Sequence, residues 1–212
     1  MSGEYDDLKT SYDRIAASYA EHFAGELDHK PLDRALLHLL AEEAPHGSIV
    51  ADVGCGPGHV ARFLHDRGVH TVGIDISPGM VETARRLNPE MTFREGSLLD
   101  LGVEDATWGG IVAFYSIIHL PAGSLPDAMQ ECARALRANG LLLLAFHVGD
   151  EVLHRDEMWG VPVSLDFHLL TMERVAGACA GAGLTVEMTL ERRPYAAVEG
   201  PTTRGYLLAS KP

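Results

Sequence analysis

The chain is poor in cysteine, in basic residues and in long apolar runs, and each shortage excludes a class of protein. Its 3 cysteines, Cys55, Cys132 and Cys179, stand far apart with no CxxC pair. That pattern suggests neither a structural zinc nor a redox motif, so no metal is expected. An odd count suits a reducing, cytoplasmic setting better than secretion. Lys and Arg number 17 against 30 Asp and Glu, a net charge of −13 with the 11 His neutral. Such a surface repels a phosphate backbone, which argues against a nucleic-acid partner. The pairs Arg85-Arg86 and Arg192-Arg193 read as solvated ends of elements. The longest strongly apolar run, Gly140 to Phe146, is far too short to span a bilayer, so no membrane partner is expected. The opening MSGEYDDLKT has no basic start and apolar core of the signal-peptide kind. Repeats and low-complexity stretches are missing too. What remains is 212 residues, 46% hydrophobic and 22% charged, which fits one domain with a substantial core. Oligomeric state is not legible in these patterns.

The spacing of Leu8, Tyr12, Ile15, Ala16, Tyr19 and Phe23 predicts an amphipathic helix over Leu8 to Glu26. A second helix starts at Pro31 with Leu32, Leu36, Leu39 and Leu40 on one face. These form an N-terminal helical cap over residues 1–45. The rhythm then changes. Short apolar runs at Ser48–Gly54, His70–Asp75, Met91–Gly96, Gly109–Ser116 and Leu141–His147 alternate with helical patterns, the signature of an α/β chain with a parallel sheet buried on both faces. Leu184–Arg192 and Thr202–Ser210 have no helix between them, so an antiparallel C-terminal hairpin is expected at one edge. Residues 148–170 show no clear period and read as an inserted cap or loop over a site.

The chemistry starts at Ala51-Asp52-Val53-Gly54-Cys55-Gly56-Pro57-Gly58-His59, where a strand ends in three alternate glycines and a helix begins. Bare backbone there faces a ligand at the carboxyl end of the first strand. A dinucleotide fingerprint would need a third glycine at position 59, where this chain has His59. Asp52 would repel a pyrophosphate but suits an ammonium or a sulfonium. Asp75 closes the second strand about twenty residues on, where an acid accepts ribose hydroxyls. Glu95-Gly96-Ser97-Leu98 ends the third strand, placed to meet an adenine edge.

With these three motifs in order, the chain resembles the class I S-adenosylmethionine-dependent methyltransferases of the small stand-alone type. DVGCGPG is similar to that family's glycine motif, VGIDIS to its ribose-binding acidic strand and EGSLLDL to its adenine segment. Ser97 stands where the family usually has Asp, and Gly110 replaces a common Asp on strand four. The likeness runs from about Tyr12 to Ser210 and is strongest from Ile49 to Ser77. It implies a single, doubly wound, Rossmann-like domain over 1–212 with a seven-stranded, mostly parallel sheet. It also implies S-adenosylmethionine as cofactor. Asp52, Gly54, Cys55, Gly56 and Gly58 would form the loop beneath it. Asp75, Ile76, Met80, Ser97 and Leu98 would hold its nucleoside, with Phe114 and Tyr115 from strand four alongside. Tyr12 and Tyr19, in YDRIAASYAEHF, would cover it, or else simply pack the helix.

For catalysis His119, after strand four in YSIIHLP, is the candidate base, the alternative being a loop histidine bonded to backbone. His147, Glu151, Trp159 and Asp166 are expected to shape the acceptor pocket. HVGDEVLH matches no established metal-ligand spacing. Lys30, before Pro31, reads as an exposed loop lysine, the alternative being a contact to an anionic acceptor. The expected acceptor is a small molecule, an aromatic or heterocyclic metabolite methylated at oxygen or nitrogen. A non-catalytic S-adenosylmethionine-binding protein and a nicotinamide-dependent oxidoreductase are the alternatives.

Overall fold

A computed structural model describes residues 2–121 and 123–212. Two helices come first: α1 (Ser2–Phe23) and, after a tight turn at Glu26–His29, α2 (Pro31–Glu43). Pro31 opens α2, where its missing amide hydrogen costs no helical bond. Five parallel strands follow, β1 (Ile49–Val53), β2 (His70–Asp75), β3 (Thr92–Glu95), β4 (Trp108–Phe114) and β5 (Leu136–His147). The helices α3 (His59–His65), α4 (Pro78–Leu87) and α5 (Leu125–Ala135) connect them. After α6 (Met172–Gly181) the chain adds β8 (Thr185–Arg192) and β9 (Arg204–Ser210). β9 inserts between β5 and β8, antiparallel to both, giving the seven-stranded order β3-β2-β1-β4-β5-β9-β8.

Both faces of the central strands are buried, which is why they read as unbroken apolar runs. In β5, Leu142, Leu144 and Phe146 join one core with Met129 of α5 and Val175 of α6. Leu141, Leu143 and Ala145 join the other, with Leu37 and Leu40 of α2 and Leu64 of α3. The chain runs outward from β1 to β3, then restarts on the other side of β1 at β4. A crevice opens at the carboxyl ends of strands flanking such a reversal. Among the described residues, no helix is long and apolar enough to cross a membrane.

Two elements differ from their sequence reading. β5 begins at Leu136, because Leu136 pairs with Trp108 across an irregularity in register. The stretch without clear period folds as a hairpin, β6 (Val152–Met158) and β7 (Val161–His168), turning at Trp159-Gly160. Its signal sits in one strand only. Val161, Val163, Leu165 and Phe167 alternate on the inner side of β7, whereas β6 is largely exposed and polar. Val163 and Leu165 pack with Ile15 and Ala16 of α1 and Met80 of α4 in a small separate core.

That core joins the hairpin to α1, so Leu165→Ala should cost about 2–5 kcal/mol locally. Hydrogen exchange should show faster opening of α1 and β7 with β1, β4 and β5 unchanged; uniform loss of protection would disprove a separate core.

Candidate active site

The crevice at the strand reversal is built from backbone first. Gly54 leaves β1 with φ +77°, and a Cβ there would lie 2.2 Å from the Ser116 Cβ, so only hydrogen fits. Gly58 takes φ +86° as the cap of α3 and lies under the Phe93 ring. Asp75, at the end of β2, accepts the Gly56 N–H at 2.8 Å on Oδ2 and the Ser77 N–H at 2.9 Å on Oδ1. Burial, only partly offset by these bonds, pushes its carboxyl up to about 6. Asp52 is buried and accepts the Ala61 N–H at 2.9 Å, in the first turn of α3. Its carboxyl rises to about 7, again through burial.

Over this floor lies a cavity of about 680 Å³, its open mouth included, within the range of small-ligand clefts. Asp75, Ile76, Met80, Ser97 and Leu98 line one side, Phe114, Tyr115, Ser116 and His119 the other. Gly54 and Gly56 lie between, and Leu8, Tyr12 and Tyr19 of α1 form the roof. α1 is docked there by Asp13, whose Oδ1 accepts the Ser77 hydroxyl at 2.6 Å and the Gly79 N–H at 2.8 Å.

A second cavity, of about 990 Å³ with its mouth, adjoins the first through Tyr12, Tyr19, Gly54, Gly56, Phe114, Tyr115 and His119. Phe23, Met158 and Phe167 give it apolar walls. Glu26, Lys30, His59, His147, Glu199 and Arg204 give it charge and polarity. Glu26 receives Lys30 Nζ at 2.5 Å and faces His59 Nε2 at 2.8 Å. Burial works to raise the Glu26 carboxyl, but His59 and then Lys30 hold it down at about 2. His119 is fixed by two bonds. Its Nδ1 faces the Asp166 carbonyl at 2.9 Å and must carry the hydrogen, so Nε2, at 2.7 Å, accepts the Tyr12 hydroxyl. Burial pushes His119 down to about 4, so it is neutral near pH 7.

A glycine-floored cleft at the reversal of a β3-β2-β1-β4-β5-β9-β8 sheet, with a buried acid ending β2, marks the family. Residues 50–140 match the methyltransferase-domain family. Those residues carry a methyltransferase domain. It is 26% identical over 156 residues to a malonyl-[acyl-carrier protein] O-methyltransferase of Enterobacter lignolyticus, covering 72% of this chain and 58% of that protein. It is 31% identical over 140 residues to an aklanonic acid methyltransferase of a Streptomyces species, covering 61% of this chain and 56% of the relative. The chain thus spans little more than half the length of these relatives. An S-adenosylmethionine-dependent methyltransferase structure from Methanosarcina mazei shares the fold, with a TM-score of 0.73 at 13% identity, covering 82% of this chain and 96% of that one.

The cleft's donor set fits the family cofactor. An acid ends β2, bare glycine backbone lies beneath the cavity, and Ile76, Met80 and Leu98 offer an apolar slot beside aromatic faces. The structure redistributes several residues singled out from sequence. Asp52 and Cys55 line the second cavity, not the first, and Asp52 is bonded to the first turn of α3. Gly58 lines neither cavity; it is needed for its backbone angle. His147 does line the second cavity, but Glu151, Trp159 and Asp166 do not. Strand alternation explains Asp166: with Leu165 and Phe167 inward, its carboxylate points out and binds His154 at 2.6 Å, leaving only its carbonyl for His119. Trp159 sits at the hairpin tip, stacked on His22 at 4.4 Å. Glu151 is exposed before β6, its carbonyl bonded to Leu169.

Lys30 is 6% exposed, not a free loop lysine, because Glu26 and Glu199 close around it. Arg192 is half-buried, paired with Glu199 and Asp33. Sequence reading missed Glu26, His59, Glu199 and Arg204 as cavity residues. They come from segments distant in sequence, and no local spacing links them.

Asp52 and Asp75 keep their protons in the fold at pH values where the unfolded chain, near 3.9, has lost them. Their burial therefore weakens the folded state as pH rises from about 4 to about 7, a linkage effect. Asp52→Asn keeps an acceptor for Ala61, so its thermal midpoint should fall less than that of the wild type between pH 4 and pH 7. Parallel curves would refute the assignment.

Proposed function

We propose that this methyltransferase passes the methyl group of S-adenosylmethionine to the oxygen or nitrogen of a small aromatic or heterocyclic acceptor. The observation that carries this reading is the pair of cavities that meet at Tyr12, Tyr115 and His119, one nucleoside-like in its lining and one walled by aromatic rings. When bound, the cofactor supplies an electrophilic methyl group on a sulfonium. Asp75 would hold its ribose, Ile76, Met80, Ser97 and Leu98 its adenine, and the Gly54–Gly58 loop its amino-acid end. The faces of Tyr12 and Tyr19 suit a cation beside them.

The chain's own part is alignment and exclusion of water. α1 and the β6–β7 hairpin close over the shared wall, with Tyr19 and Phe23 meeting Trp159 ring to ring at 6.0 and 5.9 Å. His119 Nε2 holds the Tyr12 hydroxyl rather than an open lone pair. Depressed to about 4, His119 is a weak base. The pair therefore positions the acceptor by hydrogen bonding, and a proton leaving the acceptor reaches Nε2 only by way of the Tyr12 hydroxyl. The aromatic walls support a flat acceptor. A cytoplasmic setting is supported by three cysteines that are all free and buried.

Calorimetric titration with S-adenosylmethionine, S-adenosylhomocysteine and NADH tests the cofactor. Micromolar binding of the two sulfur compounds is expected, weakened at least about tenfold in Asp75→Ala, where a buried acceptor of hydroxyl bonds is removed. Binding of NADH alone would overturn the reading. Cofactor binding with no S-adenosylhomocysteine formed from any phenol, aromatic acid or heteroaromatic amine would favour a non-catalytic binder.

For a turned-over acceptor, Tyr12→Phe and His119→Ala should each lower kcat, and the double variant should be no worse than the poorer single, because both remove one hydrogen bond. kcat should show no step from His119 between about pH 6 and pH 9, well above its depressed value. Additive losses, or a step near the ordinary histidine range that His119→Ala abolishes, would make His119 an independent base.

A further inference from the structure

The second cavity contains a buried guanidinium with an incomplete set of partners. Arg204, at the start of β9, is 4% exposed. Its Nη1 donates to the carbonyl and hydroxyl of Thr202, and its Nη2 to the Gly200 carbonyl at 3.4 Å. Among the described residues its Nε–H has no hydrogen-bond acceptor. The Glu199 Oε1 that it faces is 3.5 Å away. That carboxylate is already engaged: Arg192 donates to Oε1 at 2.9 Å and to Oε2 at 2.6 Å, and the Tyr195 N–H reaches Oε2 at 2.6 Å. Lys30 Nζ stands 3.7 Å from the same Oε1, but it has Glu26 at 2.5 Å. Three cations thus crowd one carboxylate: Arg192 holds both oxygens, whereas Arg204 at 3.5 Å and Lys30 at 3.7 Å have only loose shares, and Lys30 has Glu26 besides.

Arg204 and Lys30 also face the cavity wall. Arg204 and Lys30 approach the Tyr115 ring to 5.9 and 5.1 Å, at the face shared by both cavities. His147, bonded to Thr202, is pushed down to about 3 by burial and then by the Arg204 charge, with Lys30 adding to it. A buried cationic donor left unpaired is costly, and a guanidinium edge matches a carboxylate in geometry and charge. The surrounding network is already balanced, with Lys30, Arg192 and Arg204 against Glu26, Glu199 and Asp33. It therefore suits a monoanion better than a doubly charged phosphate.

We infer that Arg204 anchors a carboxylate on the acceptor, so that the substrate is an aromatic or heterocyclic acid. This rests on the methyl-transfer reading above. A carboxylate could also be the cofactor's own, and the two sources separate experimentally.

The test uses the full chain saturated with S-adenosylhomocysteine, with benzoate and indole-3-carboxylate set against benzamide and indole-3-carboxamide. Binding is read by calorimetry and by the ring resonances of His147. The acids should bind at least about tenfold more tightly than the amides, with His147 shifting. Arg204→Met should abolish that preference. Arg204→Lys, which keeps the charge and guards against a folding artefact, should retain part of it. Equal affinities, no acid binding at millimolar concentration, or a preference intact in Arg204→Met would each overturn the inference. Acids that bind only the cofactor-free protein and are displaced by S-adenosylhomocysteine would assign Arg204 to the cofactor and overturn it as well. Failure of S-adenosylhomocysteine itself to bind, with the acid preference and its dependence on Arg204 intact, would defeat the methyl-transfer reading and leave the anion site standing.

Discussion

One buried carboxyl holds the cleft in shape. Asp75 takes the Gly56 N–H from the loop after β1 and the Ser77 N–H that leads into α4. The glycine loop and the end of β2 thereby become one rigid floor. Ser77 passes the constraint on. Its hydroxyl accepts the Met80 N–H, capping α4, and donates to Asp13, which docks α1 over the cavity. Floor, cap and roof share a single hydrogen-bonded chain. Its cost is the desolvation of Asp75, which the two backbone donors only partly offset.

Above that floor the protein separates two tasks. The first cavity is apolar and aromatic around one acid, the character of a nucleoside slot. The second mixes aromatic walls with paired charges. Their common wall holds few charges: Tyr12, Tyr19, Phe114 and Tyr115, with a histidine held neutral by burial. Such low charge is the character that the proposed displacement at a sulfonium, whose leaving group departs neutral, would need.

Much of this was legible along the chain. The β1 loop, the acid of β2, the adenine-side segment and the two N-terminal tyrosines are local patterns, and the structure brings all of them to one cleft. The hairpin over the site was only half legible, because β7 alternates and β6 is polar on both sides. Trp159, Glu151 and Asp166 were misplaced for a related reason: without the strand register, nothing indicates which side chains of the segment point inward. Lys30 and Arg192 look like surface cations in sequence, and carboxylates brought in from other segments, Glu199 beside Lys30 and Asp33 beside Arg192, draw them inward.

The sequence by itself determined the α/β architecture, the family and the cofactor side of the cleft, because apolar periodicity and glycine spacing act over a few residues and need no distant partner. The tertiary structure alone decided the second cavity. The antiparallel insertion of β9 brings Arg204 beside Lys30 and His147, and the packing of α1 on β7 sets Tyr12 on His119. Those contacts join segments far apart in the chain. Their energies come from burial and charge in three dimensions, which no linear spacing encodes.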